Sequence, residues 1–361
     1  MFHKALWLRQ WKQGKYMILL FLLTSLYMLP YKYYTIAKIE LYDSTRIIED
    51  YTYYYSYFFN PFESSLPQGV VLIALACVLI GWERNNQSSD FLFSMPFKRK
   101  DIFFTKWLFG VVTILTVNLI CWISTYGIKT MTFHNEYQIF KPFHIYFIYI
   151  TVIFIAVYTF ALFVGTIAGN AFSQGGLTGI LLFLPLGLLV LTYGFLSVHM
   201  GDSDEKLSKK YDKVADSVLQ TNIISPLAHF HVNYNYHPDT EFDKKGNIIS
   251  ETPKKDPMEG TRIPSIWTIL APITYIIIFL PLGAFLYTRT PNEQNGNLLL
   301  FPKLKSLFLS FAVLCSALAG GLITSRMESL LSYYIGFFIA GIASYFIFRQ
   351  LLQIKVSLGI K

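Results

Sequence analysis

Seven apolar stretches of this chain are free of Asp, Glu, Lys and Arg: Tyr16 to Tyr31, Ser64 to Trp82, Trp107 to Ile128, Pro142 to Gly201, Ile263 to Thr288, Ser306 to Ser325 and Ser329 to Phe348. A charged side chain at the centre of a spanning helix costs about 2.5–3.5 kcal/mol on insertion scales, so such windows mark membrane spans. All but two are near the ~20 residues that cross a bilayer. Tyr16 to Tyr31 is shorter and gains length by snorkelling of Lys15 and Lys32. Pro142 to Gly201 is long enough for two spans, with the small and polar run from Gly169 to Gly176 as the turn between them. The pattern predicts eight transmembrane helices.

Between the second and third windows lies a different pattern, from Glu83 to Trp107. As a helix, Glu83 to Met95 places Phe91, Leu92 and Met95 on one side. Glu83, Asn86, Gln87, Asp90 and Ser94 fall mainly on the other. Pro96 then stops the helix, and Lys98, Arg99 and Lys100 sit at the mouth of the next span. An amphipathic segment of this kind can lie on the membrane surface and present a face to a soluble partner. The plainer alternative is a basic loop between two spans.

Composition sets the class: 53% hydrophobic and 14% charged residues in 361 describe a polytopic membrane protein, not a soluble globule. Orientation follows from Lys and Arg in the short loops, which stay on the cytoplasmic side. With the N-terminus inside, the inner pieces hold fifteen of them and the short outer loops six. The termini and the Glu83 segment are thus expected in the cytoplasm. Residues 202–262, long and nearly neutral, form an expected extracellular domain. Residues 1–15 read as an interfacial helix, with Phe2, Leu6, Trp7 and Trp11 on one arc. No cleavage site follows Tyr31, so the first span reads as a signal anchor. The layout is then spans one to five over 16–201, with the coupling segment at 83–106, and spans six to eight with a cytoplasmic tail over 263–361. Cys77, Cys121 and Cys315 all fall within spans and read as packing residues.

Two outer segments carry their own signals. The run DYTYYYSYFFN, from Asp50, reads as an aromatic belt at headgroup depth, or less readily as a ligand vestibule. Within 202–262, Gly246 and Asn247 with flanking isoleucines suggest a small hairpin. His229, His231 and His237 invite a metal reading, against which stands the lack of a Cys or of a helical His pair in that segment. The most polar span residues, Asn118, Asn170 and Gln174, read as bridges between helices.

No phosphate-binding G-x-x-x-x-G-K-[ST] loop, no H-E-x-x-H and no G-x-S-x-G occur in the chain. The windows also hold no carboxylate or Lys of the kind that ion-coupled transporters keep near the midplane. The chain resembles the type-2 permeases of ATP-binding-cassette transporters (the ABC-2 family). The likeness rests on Glu83-Arg84 after the second span, Met95-Pro96-Phe97 followed by Arg99, and Ile102 and Lys106 leading into the third span. Ile224-Ser225-Pro226-Leu227 is a second, weaker echo. The last two spans exceed the family's usual six and resemble the larger Gram-positive permeases, including those of Ytr type.

The resemblance implies an all-α permease subunit in the cell membrane whose amphipathic coupling helix docks onto a separate ATPase. Glu83, Arg84, Asp90, Phe91, Leu92, Met95, Pro96, Phe97 and Arg99 are the implied coupling residues. ATP and magnesium would be bound by that ATPase, with no cofactor and no catalytic residue in this chain. A second permease subunit and membrane lipid are the other implied partners, nucleic acid is not one, and export is the implied direction. A non-transporting sensor or scaffold with an extracellular binding domain is the alternative, followed by a channel or secondary transporter.

Overall fold

A computed structural model of the chain describes residues 4–46, 53–86, 92, 94–200, 205–242, 248–252, 256–325 and 330–354. Among the described residues eight helices are long and apolar enough to cross a membrane, and the protein is an all-α polytopic membrane protein. They are α1 (Lys4–Thr45), α2 (Pro61–Asn85), α3 (Arg99–Met131), α4 (Lys141–Ile167), α5 (Ala171–Met200), α7 (Ile266–Thr288), α8 (Pro302–Thr324) and α9 (Leu330–Leu351). The amphipathic helix α6 (Glu205–Thr221) precedes three short strands, β2 (Val232–Asn235), β3 (Asp239–Phe242) and β4 (Ile248–Thr252). A further strand, β1 (Ser56–Phe59), lies between α1 and α2.

Residues 4–15 do not form a separate surface helix. They run unbroken into the first span because Leu6, Gln10 and Gly14 are buried and Trp7 packs edge-on against Phe109 of α3, ring centroids 5.1 Å apart. Pro30 is accommodated by a π-helical turn, Tyr27–Tyr31, so α1 continues past it to Thr45. Helix α2 starts where Asn60 accepts the Phe62 N–H at 3.1 Å and Pro61 fills the first position, a pairing that suits a helix N-terminus. The turn between the fourth and fifth spans is confined to Ala168–Asn170, so only Gly169 and Asn170 of the predicted Gly169–Gly176 run lie in it and the rest opens α5. Asn170 caps α5 by accepting the Ser173 N–H at 2.8 Å.

Helix α4 is the most enclosed span and holds the centre of the bundle, against α2, α3, α5 and α7. Two of the three polar residues bridge helices as expected, Asn118 donating to Thr151 at 3.0 Å and Gln174 to the Ala161 carbonyl at 3.0 Å; Asn170 lies in the α4–α5 turn instead and donates to the Gly296 and Asn297 carbonyls. Helices α8 and α9 pair as a hairpin whose contact runs through small residues. A Cβ on Gly320 would stand 2.7 Å from the Gly336 carbonyl oxygen, so the two backbones touch there.

At the opposite end from residue 4, two segments far apart in sequence meet. β1 pairs antiparallel with β2, Tyr57 opposite Tyr234, and β3 with β4 in the hairpin the sequence suggested. The aromatic run is therefore not a surface belt: Tyr55, Tyr57 and Phe59 are buried. Tyr55 stacks on Tyr137 at 4.6 Å and Phe59 meets Tyr146 edge-on at 5.1 Å. Among the described residues no group of three or more His, Cys, Asp or Glu side chains is placed to hold a metal ion.

His134 sits fully buried inside this aromatic cluster. Its Nε2 lies 3.0 Å from the Tyr33 carbonyl oxygen, which can only accept, so Nε2 carries the proton and Nδ1 accepts from the Tyr55 hydroxyl at 2.6 Å. Burial pushes the imidazole down to about 4, against a smaller upward pull from the Tyr33 carbonyl. Between about pH 4 and 6.5 the unfolded chain then binds a proton that the folded one does not. Stability is full above that window and falls by about 3 kcal/mol as pH drops through it. Thermal unfolding of the purified protein at pH 7.5 and pH 4.5 should show the difference, and His134→Gln should shrink it. An equal drop in the variant would assign the acid sensitivity elsewhere.

Candidate coupling site

The end of α2 is built around a π-helical turn, Cys77–Gly81, whose wider winding loosens the carbonyl ladder. Donors from two other helices use the carbonyls: Gln13 Nε2 of α1 donates to Val78 O at 2.6 Å, and Lys106 Nζ of α3 donates to Leu79 O. Gly81 lets α2 reach α5, since a Cβ there would lie 2.4 Å from Ala171 Cα. Three consecutive polar residues, Glu83, Arg84 and Asn85, follow, and all are buried.

Each of the three ties α2 to a different helix. Glu83 Oε2 pairs with the fully buried Lys106 Nζ at 2.6 Å, and its Oε1 with Arg9 Nη2 of α1 at 3.3 Å. Arg84 Nη1 donates to the Gly165 and Ala168 carbonyls, where a cation meets the negative end of the α4 dipole. Asn85 Oδ1 accepts the Ala171 N–H at 3.3 Å, at the start of α5. Lys106 is held from a second side, its own carbonyl accepting the Tyr158 hydroxyl of α4 at 2.8 Å. Buried ions repay their desolvation only when paired and hydrogen-bonded, so Glu83 depends on Lys106 and Arg9 and they on it.

Helix α2 ends at this anchor, with Asn85, and α3 begins at Arg99. Leu92 is fully buried, while Met95 and Phe97 are half-buried against the core. Ser94, Pro96, Lys98 and Lys100 are exposed. The Phe97 N–H donates to the Met95 carbonyl at 2.7 Å, so 95–97 is a tight turn with Pro96 at its tip. Arg99 Nη1 reaches the carbonyls of Thr288 and Thr290 at 3.4 and 3.3 Å, fastening the far side of the turn to the end of α7. The chain beyond α7 then zips onto the α4–α5 turn. Leu299 bridges Ala168, the Leu300 N–H donates to Ile167 O at 2.9 Å and the Gly296 N–H to Gly169 O at 2.9 Å. The segment thus hangs from a collar that joins α1, α2, α3, α4, α5 and α7 at one end of the bundle.

The model of ABC-2 family transporter proteins matches residues 51–225, which include the part of this arrangement from the π turn to the α4–α5 turn but not α1 or the chain beyond α7. The probable ABC transporter permease YtrC of Bacillus subtilis (strain 168) is 23% identical over 261 residues, 69% of this chain and 68% of that protein. Over these residues the chain is similar to the ABC-2 transporter family. No solved structure matches it. That likeness supports a permease subunit of an ABC transporter, in which the charged collar lies at the membrane end of the segment that separates the second and third spans. Helices α7, α8 and α9 fall outside the matched residues.

Of the residues the ABC-2 resemblance singled out, Asp90 and Phe91 lie outside the described residues. Glu83, Arg84 and Leu92 are turned into the bundle. Met95, Pro96, Phe97 and Arg99 stand together at the surface turn. Arg9, Gln13, Asn85, Lys106 and Tyr158 complete the anchor, and periodicity did not single them out for it. One signal was available: Glu83 closes one charge-free window and Lys106 precedes the next, so both are the first charges met on leaving a span.

Proposed function

We propose that this chain is the membrane half of an ABC exporter whose ATPase is a separate polypeptide docking on the Met95–Pro96–Phe97 turn. The observation that carries this reading is a turn exposed at its tip and fastened at both ends, upstream by Glu83, Arg84 and Asn85 and downstream by Arg99 and Lys106. Such a lever moves the bundle when pushed, where a free loop would only bend. ATP and magnesium bind to the ATPase, and this chain contributes no catalytic group. A second permease subunit completes the pathway, and the assembly sits in the cell membrane with the collar on the cytoplasmic side. Tagged protein purified from its native membrane in mild detergent should bring down an ATPase, and the isolated chain should hydrolyse nothing. Hydrolysis by the contaminant-free chain would overturn the division of labour.

The sidedness has its own check. Ser94 and Ser217 are both exposed, at opposite ends of the molecule. With Cys in place of Ser217, an impermeant thiol reagent should label intact cells; with Cys in place of Ser94 it should label only after permeabilisation. The reverse pattern would invert the topology.

A further inference from the structure

At the end of the bundle away from the collar, a pocket of about 270 Å³ opens between the start of α2, the middle of α5 and the turn before β2. Its wall is apolar, with Phe62 from α2 and Phe183 and Leu186 from α5. Asn60 also lines it, but its amide is spent on the α2 cap, Oδ1 on the Phe62 N–H and Nδ2 on Glu63. That leaves Asn222 and His231. Asn222 is only 4% exposed, and its Oδ1 accepts the Ile224 N–H at 3.2 Å, which fixes the amide's orientation. Its Nδ2, and Nδ1 of His231, are buried without a hydrogen-bond partner among the described residues. The His231 ring is held in place by stacking on Phe58 at 6.1 Å and by backbone pairing with Arg262.

A buried amide donor left unmet is costly, so an otherwise apolar pocket that keeps one has a use for an acceptor. We propose that this pocket binds a membrane phospholipid from the leaflet on that side. An ester or phosphate oxygen would accept from Asn222 Nδ2 and from His231 Nδ1 in its Nδ1-protonated form, with the adjoining acyl chain on Phe62, Phe183 and Leu186. Two features favour a lipid. The pocket wall belongs to spanning helices, and Phe183 is 46% exposed on α5, so the opening faces the hydrocarbon sideways. The volume is a little under that of ordinary ligand pockets, enough for a headgroup junction and part of one chain. The inference is independent of where the ATPase docks.

The test uses the full chain in vesicles of phosphatidylethanolamine and phosphatidylglycerol carrying a phosphatidylglycerol with a diazirine near the ester end of one chain. Illumination should label peptides containing Phe183–Leu186 or 222–231. Asn222→Leu, which removes the donor and fills the space, should lower that yield about tenfold, and His231→Phe, which keeps the ring, should lower it several-fold. Should Asn222→Leu fail to fold, the isosteric Asn222→Asp should show the same loss. Labelling near Ile148, in the groove between α3 and α4, should be unchanged in every variant. Undiminished pocket labelling in the Asn222 and His231 variants would overturn the site. No pocket labelling in the parent would leave ordered water as the occupant and overturn it too. Competition by soluble glycerophosphate would assign the pocket to a water-borne phosphate in place of a lipid.

Discussion

Glu83→Ala is expected to remove about 3–5 kcal/mol of stability, a large part of the roughly 5–15 kcal/mol that folded proteins possess. The carboxylate contacts two cations, Lys106 at 2.6 Å and Arg9 at 3.3 Å, and Lys106 is fully buried. Losing it leaves an ammonium in the bundle without its counter-charge, still donating to the Leu79 carbonyl. Lys106→Met alone should be milder, because Arg9 still faces Glu83 and Met fills the same space. Combined with Glu83→Gln, Lys106→Met should recover part of the loss, since exchanging a buried pair for neutral groups is often close to neutral where breaking one is not. Folded yield by size-exclusion chromatography and midpoint of thermal unfolding, measured for Glu83→Gln, Lys106→Met and the double, decide the matter. Additive losses would mean that Glu83 and Lys106 do not act as a pair.

The spans were legible because each charged residue in a span is expensive and the chain avoids that cost, so windows between charges locate eight helices. Their ends were not. Helices α2 and α3 run past the windows to Asn85 and from Arg99, carrying Glu83 and Lys106 into the bundle where each neutralises the other. A rule that treats charges singly cannot see a pair. Amphipathicity placed Leu92 beside Met95 on a docking face, yet Leu92 is buried in the chain's own core, because period alone does not say which apolar face meets the protein's own core.

The loop region at the other end was harder still. Pairing of β1 with β2 joins residues near 57 to residues near 234, and a strand of four residues carries no local mark of a partner so distant. Alternation along Tyr55, Tyr57 and Phe59 was present, and their burial shows it to be a strand's inward face. In a chain with 17% aromatic residues that pattern has the same composition as an interfacial belt. His134, which ties the cluster together, is a lone histidine in sequence.

Met95→Asp is expected to weaken association with the ATPase about thirtyfold while the permease itself folds and inserts normally. Met95 is half-buried on the chain's own surface, so a carboxylate there can turn to water in the free permease. Covered by a partner it would be desolvated without a counter-charge, at a cost of about 2 kcal/mol or more, the size of loss that defines an interface hot spot. Phe97→Ala should act in the same direction more weakly, since truncation forfeits contact without burying a charge. Arg99→Ala should do least to association. Its contacts to the Thr288 and Thr290 carbonyls are long, and they hold the turn to α7 rather than facing outward. Ser217→Asp, at the far end, is the control. The measurement is ATPase retained on immobilised permease, divided by permease abundance in the membrane. Retention unchanged in both Met95→Asp and Phe97→Ala at normal abundance would reduce the 95–97 turn to a surface loop and move the docking site elsewhere on the collar.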